Sequence, residues 1–82
     1  MKTVRYLRPA RSALQRHANM AARVRRALTD YAADPAAHAN NVTRLVDEPA
    51  KRMRVGDFRI IFEETDNEII VTRIAPRGDA YR

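Results

Sequence analysis

Arg52, Arg54, Arg59, Arg77 and Tyr81 are the side chains of this sequence whose types and spacing could do chemistry together. Brought to one place, four guanidiniums and a phenol suit the cleavage of an RNA strand by its own 2′-hydroxyl. When that hydroxyl attacks the adjacent 3′-phosphate, negative charge builds on the phosphorane oxygens. Preorganised guanidiniums stabilise that charge more in the transition state than in the ground state. A base must also take the 2′ proton, and an acid must protonate the departing 5′ oxygen. Histidine is the usual agent, but His17 and His38 lie far from these residues in sequence. Tyr81 could serve if neighbouring arginines lower its pKa from roughly 10 towards neutrality, or it could only stack on a base. A plainer reading fits the same arginines, because a strand that alternates arginine with apolar residues also makes an ordinary solvated sheet face. Two distant histidines and scattered carboxylates give no metal-ligand spacing, so no metal or cofactor is expected.

Positioning these groups falls to residues 51–82. Gly56-Asp57 separates two β-rich runs and is the dipeptide that a two-residue hairpin favours. Strands are expected at 51–55, 58–64 and 68–75, the last two joined through Thr65-Asp66-Asn67. Period-two geometry sets Met53 and Val55 against Arg52 and Arg54, and Phe58, Ile60 and Phe62 against Arg59, Ile61 and Glu63. With the apolar set turned to a core, Arg52, Arg54 and Arg59 point together at solvent as a phosphate-sized cluster.

The rest of the chain supplies a cover for that core. Thr3–Leu7 alternates and reads as a short strand. Pro9 suits the first turn of a helix running from about Pro9 to His17, with Ala10, Ala13, Leu14 and His17 on one side. Asn19 is the expected N-cap of a second helix, Met20 to about Ala33, whose apolar face is Met20, Val24, Ala27, Leu28 and Tyr31. Asp34-Pro35 ends it. Arg23, Arg25 and Arg26 read as its solvated face. Residues 35–44 read as a polar surface connection anchored by Val42, Leu45 and Val46, and Asp47-Glu48-Pro49 as a turn. The expected order is β-α-α-β-β-β, an α+β layer with a helical hairpin on one face of an antiparallel sheet, in a single domain over residues 1–82.

The core of such a domain is thin. Of the hydrophobic 45% of the chain, fourteen residues are alanine, which favours stabilisation by a partner. The net charge of +6 sits almost wholly in residues 1–34, where eight Lys/Arg oppose Asp30 and Asp34. Such segregation points to nucleic acid or an acidic protein as partner. Cysteine is absent, which excludes disulfides and thiolate metal sites. There is no 18-residue apolar run and no apolar signal-peptide core, so a cytoplasmic protein with no membrane partner is expected.

The run Arg52-Met53-Arg54-Val55-Gly56-Asp57-Phe58-Arg59-Ile60-Ile61-Phe62, followed by Ile74-Ala75-Pro76-Arg77-Gly78-Asp79-Ala80-Tyr81-Arg82, resembles the RelE/ParE toxin superfamily. Members show a basic-apolar-basic strand, a Val-Gly-Asp turn, an aromatic-Arg pair and a terminal Arg-x-x-x-Tyr-Arg. The resemblance implies the toxin of a bacterial type II toxin–antitoxin pair, a ribosome-dependent, metal-independent mRNA endoribonuclease that inhibits translation. The alternatives it carries are a ParE-like inhibitor of DNA gyrase and a non-catalytic antitoxin-binding module. The implied partners are a cognate acidic antitoxin with the ribosome and mRNA, or with gyrase. By motif, Arg52 and Arg54 match the family's basic strand positions, Arg59 its phosphate-binding arginine, Arg77 the arginine that supports the leaving group, and Tyr81 the terminal tyrosine. Arginine stands where the best-known ribonucleases carry lysine, and it gives up a proton less readily. Pro76 replaces a common glycine. Retention of Arg59, Arg77 and Tyr81 together favours the ribonuclease over the gyrase inhibitor.

Overall fold

The computed structural model describes residues 1–45 and 49–76. Its elements are β1 (Thr3–Tyr6), α1 (Arg8–Arg16), α2 (Ala18–Ala33), a 3₁₀ segment (Ala36–Asn41), β2 (Val42–Arg44), β3 (Ala50–Val55), β4 (Phe58–Glu64) and β5 (Glu68–Pro76). The strands form one sheet in the order β1-β5-β4-β3-β2. Strands β2 to β5 run as an antiparallel meander, whereas β1 joins the far edge parallel to β5. The expected α+β layer holds, with two corrections. A further strand, β2, lies inside what reads in sequence as a surface connection, and one edge of the sheet is parallel. Neither the direction of β1 nor its partner more than sixty residues away is encoded in a local period.

The meander's turns follow from local chemistry. Gly56-Asp57 closes the β3–β4 hairpin with Val55 opposite Phe58, and Gly56 adopts φ +58°, as the first central residue of a primed turn requires. At the next turn the Thr65 hydroxyl accepts from Glu68 N–H at 2.9 Å, and Thr65 N–H donates to the Glu68 carbonyl at 2.9 Å. In β5 a bulge at Thr72 shifts the register between Ile61 and Phe62. Burial therefore moves from the odd residues Ile69 and Val71 to Ile74, and Arg73 turns to the face opposite the core.

The helices cover one face of the sheet. Proline near the start of α1 lacks a donor where none has an intrahelical partner. Spacings of three and four residues then bury Ala10, Ala13 and Leu14 from α1 and Val24, Leu28 and Tyr31 from α2. These meet Met53, Phe58, Ile60, Phe62, Ile69 and Val71 from the sheet. Six large side chains, Phe62, Leu28, Ile60, Ile69, Val24 and Val71, are almost wholly excluded from water, each contributing roughly 1.5–3 kcal/mol. Only His17 separates the helices. It, and not Asn19, occupies the N-cap position of α2, and its ring stands edge-on to Phe58 at 4.8 Å.

Candidate functional site

Two-residue periodicity puts the arginines on the sheet face away from the helices. In the β3–β4 ladder Arg54 stands directly opposite Arg59, and Arg52 opposite Ile61. Directly opposed residues bring their Cβ atoms within about 4.5–5.5 Å, and like charges in that relation oppose pairing. Thr43 of β2 faces Arg52 on the other side, and Arg73 faces Ile61 from β5. Asn40, Asn41, Thr43, Arg52, Arg54 and Arg59 line a cleft of about 240 Å³. Among the described residues its walls carry three guanidiniums, two carboxamides and a hydroxyl. This is a donor-rich lining for an anion.

Arg59 departs from the expectation of a solvent-pointing side chain. It lies on β4, the middle strand of the sheet, flanked by β3 and β5, and is 7% exposed. Arg54, at the hairpin end of β3, is exposed and Arg52 half-buried. The charge at the floor of the cleft is therefore the most desolvated of the three, and an anion reaching it would meet a field less screened by water. Arg77 and Tyr81 lie outside the described residues.

Lys51, adjacent to Arg52, points to the helix side. Its Nζ donates to Glu64 Oε1 at 2.8 Å, where Tyr31 Oη also donates at 2.6 Å, and Lys2 Nζ pairs with Glu64 Oε2 at 2.9 Å. Burial raises the Glu64 pKa, but the hydrogen bonds from Lys51, Tyr31 and Lys2 outweigh it and hold the carboxyl at about 2. Burial, together with the hydrogen bond to Glu64 and its charge, pushes the Tyr31 phenol well above its ordinary value. This cluster ties the residue just before β1 to α2, β3 and β4 on the side away from the cleft.

The contribution of residues 40–43 is absent from the sequence reading. Asp34 Oδ1 accepts from Ala37 N–H at 3.3 Å and starts the 3₁₀ segment, which kinks at His38 and delivers Asn40 and Asn41 to the rim. The signals available were the Asn40-Asn41 pair and the β-branched pair Val42-Thr43, which joins β3 with Val42 opposite Met53. Among the described residues no group of histidines, cysteines and carboxylates could hold a metal ion, and no helix is long and apolar enough to cross a membrane.

The helical hairpin over one face of a five-stranded sheet recurs in chains of two solved toxin–antitoxin complexes. The toxin–antitoxin complex RelBE2 of Mycobacterium tuberculosis contains a chain 24% identical to this one, covering 93% of this chain and 98% of that one, with a TM-score of 0.73. The archaeal RelE–RelB complex of Pyrococcus horikoshii OT3 contains one 23% identical, covering 94% and 96%, with a TM-score of 0.76. At that identity the likeness is one of fold. No curated protein matches the sequence at a significant level. The family model of the ParE toxin of type II toxin–antitoxin systems, parDE, matches residues 2–81, and the chain belongs to this family, within the RelE/ParE superfamily.

Proposed function

We propose that the protein is a toxin that cleaves mRNA on the ribosome without a metal ion, and that a cognate acidic antitoxin holds it inactive. The observation that carries this reading is the direct opposition of Arg54 and Arg59 across a donor-lined cleft. The pairing sets two guanidiniums side by side, and a phosphate seated between them would be drawn by both. In the proposed reaction the 2′-oxygen attacks phosphorus, and its proton passes to a base. Arg52, Arg54 and Arg59 stabilise the phosphorane oxygens. The bond to the 5′ oxygen then breaks, and that oxygen takes up a proton, leaving a cyclic phosphate and a 5′-hydroxyl. Arg77 supports the departing oxygen. Tyr81 either takes the 2′ proton or stacks on a base, and Tyr81→Phe separates these roles because it removes the proton acceptor and keeps the ring.

The test is to induce the protein in translating cells and map 5′ ends. Cuts within codons bearing 5′-hydroxyls are expected, and Arg59→Gln should abolish them while the variant still melts cooperatively. Intact transcripts in arrested cells would sink the reading. The ParE family match favours a second reading, inhibition of DNA gyrase. It predicts gyrase inhibition in vitro that is insensitive to Tyr81→Phe. The antitoxin is tested by co-purification with the product of the adjacent gene and by melting with and without it. Binding only to the native state stabilises by about 4 kcal/mol when the partner is at a thousandfold its Kd. A partner that leaves the melting temperature and toxicity unchanged would count against the pairing.

A further inference from the structure

A second basic recess adjoins the cleft. Arg23 and Arg26, both exposed, are three residues apart on α2 and so share one side of the helix. Together with Asn41, Arg54 and Gly56 they line a notch of about 360 Å³ between α2 and the tip of the β3–β4 hairpin. The hairpin tip packs against the side chains of Met20 and Arg23 at residue 56. A Cβ there would stand 3.2 Å from Met20 Cε and 3.5 Å from both terminal nitrogens of Arg23. Arg54 and Asn41 line both the notch and the cleft, so the two recesses share a wall. Arg25, between the two notch arginines in sequence, is directed elsewhere and lies over the Tyr6 ring at 4.9 Å.

We propose that this notch is a second phosphate subsite, in which Arg23 and Arg26 hold the backbone of a single RNA strand next to the phosphate bound at Arg52, Arg54 and Arg59. The inference rests on the proposed RNA-cleaving function and extends it to a path for the strand around the open end of the hairpin. A single polyanion satisfies both recesses at once, passing Arg54 where they meet. An acidic protein segment would need apolar anchors to bind tightly, and among the described residues Ala27 and Val55 are the only apolar side chains in the lining. Asp30 also lines the notch. Its carboxylate cannot face a phosphate, but it can accept from a ribose 2′-hydroxyl, a contact that DNA lacks.

The test is binding of single-stranded RNA oligonucleotides of about three and eight nucleotides to the full chain, measured by fluorescence anisotropy over a range of salt. Arg23→Ala/Arg26→Ala should weaken the longer RNA by about tenfold or more at low salt. It should also reduce the slope of log affinity against log salt by roughly 0.7 for each phosphate that is no longer neutralised. The shorter RNA, filling the cleft alone, should be unaffected, as should both RNAs with Arg25→Ala. A lysine pair at 23 and 26 should restore most of the affinity. If the double alanine variant binds the longer RNA like the parent while Arg59→Gln does not, the notch is no subsite and the cleft reading stands. If the parent binds neither RNA, the notch is overturned as an RNA subsite of this chain, while cleavage on the ribosome is decided separately by the mapped 5′ ends. If RNA binding is intact but the variant loses an acidic partner protein, the notch is a protein dock and the inference is overturned.

Discussion

At the scale of single residues, Arg54 exposes a conflict between stability and binding. It stands opposite Arg59, where like charges weaken a strand pair by roughly 0.2–1 kcal/mol. Arg54→Thr keeps a good strand former at an exposed position and removes that repulsion. It should therefore raise stability by about that amount, up to several degrees in melting temperature for a domain of this size, while weakening the proposed RNA cleavage. Thermal melts of the two proteins at low salt measure the first effect. A lower melting temperature for Arg54→Thr would mean that this guanidinium is tied into the fold and not held against its neighbour. Alternation along residues 52–62 was enough to show that these arginines share a face. The burial of Arg59 was not legible, because it depends on how many strands flank β4, which no local pattern states.

The β3–β4 hairpin is the element on which the cleft and the notch both depend. Its turn was legible because the requirement is local: Gly56 at φ +58° is a conformation that costs an L-residue about 1–2 kcal/mol. Gly56→Ala adds a steric conflict with Met20 Cε, 3.2 Å from the new atom. The left-handed φ should make it lower the melting temperature by several degrees, measured by circular dichroism. An unchanged melting temperature would rule out this account of the turn. Strand β2 was not legible for the opposite reason. Three residues carry too little alternation to register, and Val42–Arg44 is a strand only because β3 offers it an edge.

For the molecule as a whole, Glu64 is the tie with a measurable pH signature. Its carboxyl is held at about 2 against an ordinary 4.5, so its contribution is fully present above the higher value and is lost as pH falls from 4.5 towards 2. Glu64→Gln should cost on the order of 1–2 kcal/mol at neutral pH, allowing for screening by solvent. The difference from the parent should shrink as pH falls through that window, as read from denaturant melts at a series of pH values. A difference that stays constant from pH 7 to pH 3 would show that Glu64 acts through packing and not through its charge.

Alternation and helical spacing by themselves determined the layer that forms the core, the two helices, the three long strands and the side of the sheet that carries arginine. Each of these follows from contacts within a few residues, or from the need to bury one face of an element. The parallel seating of β1 on β5, the bulge that turns Arg73 to the arginine face, and the meeting of Asn40 and Asn41 with Arg54 were decided only by the tertiary structure. The same holds for the meeting of Lys2, Tyr31, Lys51 and Glu64, which come from four different parts of the chain. Long-range pairing has no period of its own, because which strand edges and side chains meet is set by how the whole chain closes over its core.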